Sequence, residues 1–131
     1  MAIDRTQAYM LRNKSSGLYL CTSNLDKNSQ MMTQWKREES GSARAAETWL
    51  LMPMGNKKYL LAQKSSGLLA TPNNGSSNPD QVNTYRADSS QMASQIWIAQ
   101  ERDGSIALQN ENGGLYLTPN NFSREPDQVN T

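Results

Sequence analysis

The chain has 131 residues, 13 Lys and Arg against 12 Asp and Glu, a formal net charge of +1 and no histidine. Charge this scattered gives no basic face for nucleic acid or an anionic membrane, and no apolar run approaches the roughly 18 residues that span a bilayer. Without histidine the commonest general base and the commonest metal ligand are absent, and the single cysteine, Cys21, allows no internal disulfide.

This length suits one domain that buries roughly two thirds of its unfolded surface. The opening "MAIDRTQ" is too polar for a signal peptide, so a cytoplasmic or unconventionally secreted protein is expected. Cys21 reads as a buried, inert thiol. No catalytic constellation, metal site or cofactor is expected.

In chain order, the first hairpin lies in "YMLRNKSSGLYL". Tyr9 and Leu11 alternate with other residues before the turn "KSSG", and Leu18 and Leu20 share a face after it. A loop leads to a third strand in "MMTQWK" and then a fourth in "ETWLLM", which holds Trp49. The pattern restarts with the hairpin "YLLAQKSSGLLA", followed by "QVNTYR" and "QIWIAQ", which holds Trp97. It restarts again at "SIALQNENGGLYL".

The anchor glycines Gly17, Gly67 and Gly114 are 50 and 47 residues apart, and Trp35 and Tyr85 each stand 18 residues beyond their anchor. The loop "TPNNGSSNPDQVNT" at 71–84 returns as "TPNNFSREPDQVNT" at 118–131. Four strands in each unit of roughly 48 residues, taken three times, predict an all-β single domain, a β-trefoil. Its units fall at about 9–56, 57–104 and 105–131, the third incomplete. Either the sequence is a piece of a longer one, or a further copy completes the fold in a homo-oligomer. An open sheet edge favours such pairing.

Along its whole length the chain resembles the ricin-B-type (R-type) lectin family. The residues that carry the likeness are Gln95-Ile96-Trp97 and the variant Glu47-Thr48-Trp49, at matching places in their units. The stretch "SSGLLATPNNGSSNP" is similar to the mytilectin branch of mussel lectins. The resemblance implies a β-trefoil with the fourth-strand tryptophans in its core. It also implies glycans as partners, no cofactor, no nucleic acid and no insertion into a membrane.

It further implies site residues. In the second unit they are Thr71, Tyr85, Ser94 and Gln95; in the first, Cys21, Trp35, Ala46 and Glu47. The family has aspartate where Thr71 and Cys21 stand, and asparagine where Ser94 and Ala46 stand. The strong carboxylate grip on sugar hydroxyls is therefore not expected here. The mytilectin pattern adds the turn residues Asn73 and Asn74, and the series Arg86, Asp88 and Ser90, with Lys36 and Glu38 in the first unit. On an extended segment residues i, i+2 and i+4 share a face, so that series either converges on a ligand or forms a solvated charge pair.

Trp35 and Tyr85 are either flat platforms for the C–H face of a sugar or ordinary packing. The repeated "TPNN" is either part of a site or simply good turn chemistry. The leading expectation is a lectin that recognises galactose- or N-acetylgalactosamine-type glycans, or acidic ones met by the arginine. The alternative is a non-catalytic protein-interaction or structural module.

Overall fold

A computed structural model describes residues 3, 7–22, 32–36, 41–75, 77–119 and 127–130. The strands are β1 (Ala8–Met10), β2 (Tyr19–Thr22), β3 (Met32–Trp35), β4 (Thr48–Gly55), β5 (Lys58–Gln63), β6 (Leu69–Pro72), β7 (Val82–Tyr85), β8 (Ile96–Arg102), β9 (Ser105–Asn110), β10 (Thr118–Pro119) and β11 (Asp127–Asn130). Among the described residues, the first two units supply four strands each and the third supplies three.

Every pairing is antiparallel. β1, β4, β5, β8 and β9 run side by side as barrel staves, and the hairpins β2–β3, β6–β7 and β10–β11 lie across them. Among the described residues, barrel strands come from the first and fourth positions of the first two units and the first position of the third, and hairpins from the second and third positions of all three. That arrangement is a β-trefoil, as the threefold sequence pattern predicts.

The repetition has a local cause at the anchor glycines. Gly17, Gly67 and Gly114 sit at φ of 75°, 75° and 74°, a left-handed conformation that a side chain disfavours. Each donates its N–H to the carbonyl four residues earlier: Gly17 to Asn13 at 2.8 Å, Gly67 to Gln63 at 2.7 Å and Gly114 to Asn110 at 3.1 Å. The same turn is therefore built three times, and it delivers the next strand in the same place. Substitution at these positions would force the turn to reopen.

Matched positions then meet at the centre. Met32, Val82 and Val129, from the third strand of each unit, are all buried, as are Trp49 and Trp97 from the fourth. Each indole N–H donates to a carbonyl of its own unit's second strand, Trp49 to Leu20 and Trp97 to Ala70, both at 3.0 Å. Leu51, Leu61, Ala99 and Leu108 fill the space between them. The tryptophans are core, as the resemblance implied.

The chain also forms short helices, which the all-β expectation does not include. Two short segments, α1 (Gly41–Ala46) and α2 (Met92–Gln95), precede β4 and β8. At six and four residues they are too short to display an apolar stripe, which needs at least two turns to emerge. Both lead into the tryptophan-bearing strand of their unit.

Candidate functional site

The hairpin β6–β7 of the second unit holds a concavity of about 350 Å³, lined by Thr71, Pro72, Asn73, Gln81, Asn83, Tyr85 and Gln91. Its floor follows from alternation along the chain. Val82 and Thr84 are fully buried, so Gln81, Asn83 and Tyr85 project together on the opposite side. The register pairs Thr71 with Asn83 and Leu69 with Tyr85, which sets the facing strand against that row.

Four of the lining side chains are amides. Gln81 Nε2 donates to Asn83 Oδ1 at 3.0 Å, and Asn83 Nδ2 donates to Asn73 Oδ1 at 3.2 Å. The backbone N–H of Asn73 donates to the Gln81 carbonyl at 2.8 Å, closing the loop beneath the relay. An amide has two N–H donors and a carbonyl with two lone pairs, so this relay leaves capacity at both ends. Among the described residues, neither a carboxylate nor a cation lines this pocket.

Gln95 stands behind this wall and is bonded to Thr71, which lines it. Gln95 is fully buried; its Nε2 donates to Thr71 Oγ1 at 3.2 Å and to the Arg86 carbonyl at 2.8 Å, and its Oε1 accepts from the Asp88 N–H at 3.0 Å. Thr71, also buried, donates its hydroxyl to the Leu69 carbonyl at 3.0 Å. Gln95 thus ties β6 to the segment that follows β7. It positions the wall and does not face the opening.

Arg86, Asp88 and Ser90 are arranged differently from the extended series expected of them. Ser89–Gln91 is a 3-10 turn, and Asp88 caps it. The Asp88 carboxylate accepts from the Ser90 hydroxyl at 2.7 Å and from the Ser90 N–H at 3.0 Å. Those two bonds, with a smaller attraction from Arg86, hold its carboxyl below the usual carboxylate range against a weaker opposing effect of desolvation. Aspartate is a favoured cap, and capping curls the chain, so i, i+2 and i+4 no longer share a face. The Arg86 guanidinium lies 5.2 Å from the Tyr85 ring centroid, a cation–π contact at the pocket rim.

The far rim is braced from the third unit. The Gly75 carbonyl accepts from Ser94 Oγ and from Asn112 Nδ2, each at 3.0 Å, and Asn112 Nδ2 also reaches Ser94 Oγ at 2.9 Å. Gly113, at φ 91°, lies directly against the Ser77 backbone, where a Cβ has no room. Asn74 sits on the 3-10 turn Asn73–Gly75, its side chain outside the described residues.

In the first unit, Trp35 ends β3 with its side chain outside the description, Lys36 is exposed beside it, and Glu38 lies outside the described residues. Glu47, Ala46 and Cys21 are buried there. Thr71, Asn73 and Tyr85 are brought together in the second-unit pocket. Gln81, Asn83 and Gln91 join them without having been singled out from the sequence. The signal for Gln81 and Asn83 was the same alternation that exposes Tyr85, since an apolar Val82 between polar neighbours turns those neighbours outward.

No protein-family model matches the sequence, and no curated protein matches it. A designed 3-fold symmetric protein, ThreeFoil, superposes at TM-score 0.84 with 21% identity over 94% of this chain and 86% of its own. The exo-β-1,3-galactanase 1,3Gal43A of Clostridium thermocellum matches at TM-score 0.84 and 20% identity over 98% of this chain, which spans only 28% of the galactanase. The hemolytic lectin CEL-III matches at TM-score 0.77 and 16% identity, over 95% of this chain and 27% of its own. These likenesses establish the β-trefoil fold.

Proposed function

We propose that this chain is a carbohydrate-binding module of the ricin-B-type, taking a neutral pyranose of the galactose or N-acetylgalactosamine kind in the β6–β7 pocket. The observation that carries the reading is the composition of that pocket: one aromatic ring and four amides around about 350 Å³. A sugar ring offers an apolar C–H face and a rim of hydroxyls that both donate and accept. Tyr85 suits the first and Asn73, Gln81, Asn83 and Gln91 suit the second. The volume lies toward the small end of ligand sites, which fits one sugar unit and not a long chain in one cavity.

In this reading Thr71 and Gln95 position the wall. Asp88 and Ser90 shape the rim, and exposed Arg86 stands where an acidic extension of the glycan would meet it. The first-unit set of Trp35, Lys36 and Glu38, with the turn residue Asn74, remains a proposed accessory surface. Lectin and galactanase relatives in fold support a glycan partner without specifying it.

A glycan array probed with the 131-residue chain tests the proposal. Discrete hits reversed by free galactose or N-acetylgalactosamine, and weakened by Asn83→Ala, are expected. Hits confined to sialylated or sulfated glycans and lost in Arg86→Ala would move recognition to the rim arginine. An array without hits would refute the reading.

A further inference from the structure

The three turns that carry the anchor glycines differ in the two residues before the glycine. These are Ser15-Ser16 in the first unit, Ser65-Ser66 in the second and Asn112-Gly113 in the third. The third turn reaches into the neighbouring unit through its amide: Asn112 Nδ2 donates to the Gly75 carbonyl at 3.0 Å and to Ser94 Oγ at 2.9 Å. At the equivalent place in the second unit, the buried Ser65 hydroxyl has no partner among the described residues. Ala46 stands in the first unit where Ser94 stands in the second.

The junction fixes both residues of the third turn. Asn112 supplies two N–H donors on one atom, and the Gly75 carbonyl and the Ser94 hydroxyl use them. Gly113 supplies space, since a Cβ there would collide with the Ser77 carbonyl oxygen, and its φ of 91° disfavours any side chain. Together these requirements set asparagine directly before glycine. That pair is labile, because the glycine nitrogen can approach the asparagine side-chain carbonyl with no Cβ in the way. Gly113 is exposed, and among the described residues its N–H meets no acceptor, so this nitrogen is not tied up.

We propose that Asn112 is a site of spontaneous deamidation that unlocks the rim of the β6–β7 pocket. The Gly113 nitrogen, having lost its proton to hydroxide, bonds to the Asn112 side-chain carbonyl carbon, and the bond from that carbon to Nδ2 breaks. Nδ2 takes a proton from water and leaves as ammonia, and a five-membered imide joins position 112 to Gly113. Water then opens the ring at either carbonyl, giving isoaspartate or aspartate. One water is consumed for each ammonia released, and nothing is oxidised or reduced.

Either product ends the brace. A carboxylate accepts and does not donate, so an acceptor now faces the Gly75 carbonyl. The Ser94 hydroxyl, which donates to Gly75, gains a charged acceptor that competes for it. Isoaspartate also adds a carbon to the main chain beside Gly113, where the Ser77 backbone leaves no room. Gly75 ends the 3-10 turn that begins at Asn73, and it lies against the Gln91 side chain; Asn73 and Gln91 both line the pocket. A loss of sugar affinity on deamidation rests on the function proposed above, whereas the modification itself does not.

Tandem mass spectrometry of the 131-residue chain, aged for days in mildly alkaline buffer, tests the chemistry. Conversion of amide to acid at position 112 is expected, severalfold faster than at Asn83 or Asn110, which no glycine follows, and faster again as pH rises. A folded chain that stays intact at 112 while the same chain in urea converts there would overturn the proposal. So would conversion confined to Asn74, the other asparagine that precedes a glycine. Asn112→Asp supplies one product directly. With an unchanged circular dichroism spectrum, it should be cut severalfold faster between residues 73 and 78 by a protease of broad specificity. If that variant does not fold, the aged parent, separated by its extra negative charge, takes its place. Equal cutting would overturn the release of the rim, and so would unchanged sugar affinity in a parent that binds sugar. A parent that binds no sugar would refute the pocket, leaving mass and proteolysis to decide the deamidation.

Discussion

Replacing Gln95 by methionine tests whether the pocket wall depends on one buried amide. Methionine keeps the length and lack of branching, so little cavity forms, and the change isolates three hydrogen bonds. Two of them serve backbone groups, the Arg86 carbonyl and the Asp88 N–H, while Thr71 retains its bond to the Leu69 carbonyl. Stranding a buried backbone group costs about 1–3 kcal/mol, and partial access of water at these two favours the low end of that range, about 1–1.5 kcal/mol each. The expected loss is roughly 2–3 kcal/mol in total. With a urea slope of about 2 kcal/mol per molar, the midpoint should fall by about 1–1.5 M.

Gln95→Glu sharpens the test. The ionised side chain would set a carboxylate oxygen against the Arg86 carbonyl, whereas the protonated acid can still donate to it. Burial and these acceptors raise the folded pKa of such a glutamate. Its penalty should be smallest below the ordinary glutamate pKa of about 4.3 and should grow as pH rises. Chemical denaturation across pH measures both variants. A methionine variant within about 0.5 kcal/mol of the parent would show that water satisfies Arg86 and Asp88, and that Gln95 does not hold the wall.

Tyr85→Ala and Asn83→Ala should each weaken glycan binding, Tyr85→Ala by about 1 kcal/mol or roughly fivefold, with little change in melting temperature; loss of the fold in both would make the pair structural. Trp49→Phe and Trp97→Phe should destabilise to a similar extent, roughly 2–4 kcal/mol each, since each strands one buried carbonyl and leaves a void. A large difference between them in urea melts would break the repeat equivalence. The Asp88 cap should fade in acid. Because its folded pKa is lowered, its contribution is present above the usual carboxylate range and is lost as pH falls through the lower folded value. Melting of Asp88→Asn should track the parent's acid limb without that added fall, and parallel curves would contradict it.

The fold was legible because its determinants are local and repeated. A glycine that must be left-handed, with apolar residues at fixed offsets from it, places Met32, Val82 and Val129 in one core without any knowledge of tertiary structure. Tyr85 was singled out by the same offsets and Asn73 by the turn resemblance, and both line the β6–β7 concavity. The course of the chain after Tyr85 was not legible. Arg86-x-Asp88-x-Ser90 has the alternation of a strand, yet the Asp88 side chain outcompetes extension by binding Ser90. Gln95 was read as part of a sugar site because family position marks it. Its burial depends on Thr71, Arg86 and Asp88 arriving together, which no single stretch of sequence encodes.

The way the units diverge explains how a shared barrel can carry an individual pocket. The indole-to-carbonyl bonds of Trp49 and Trp97 are the same in both units and lie inside the barrel. The ties outside them differ. In the second unit Gln95 bonds the Thr71 hydroxyl, while in the first Glu47 and Cys21 occupy those places and Gln63 bonds Thr22 Oγ1 at 3.1 Å instead. A carboxyl and a thiol cannot reproduce the amide's donation to a hydroxyl and a backbone carbonyl together. The tie that Gln95 makes between β6 and the segment after β7 is therefore not repeated in kind by Glu47 and Cys21, although the strands beneath are equivalent. Changes in this outer layer alter the rim and the pocket wall without touching the tryptophan bonds, so the surface can differ from unit to unit while the core stays fixed.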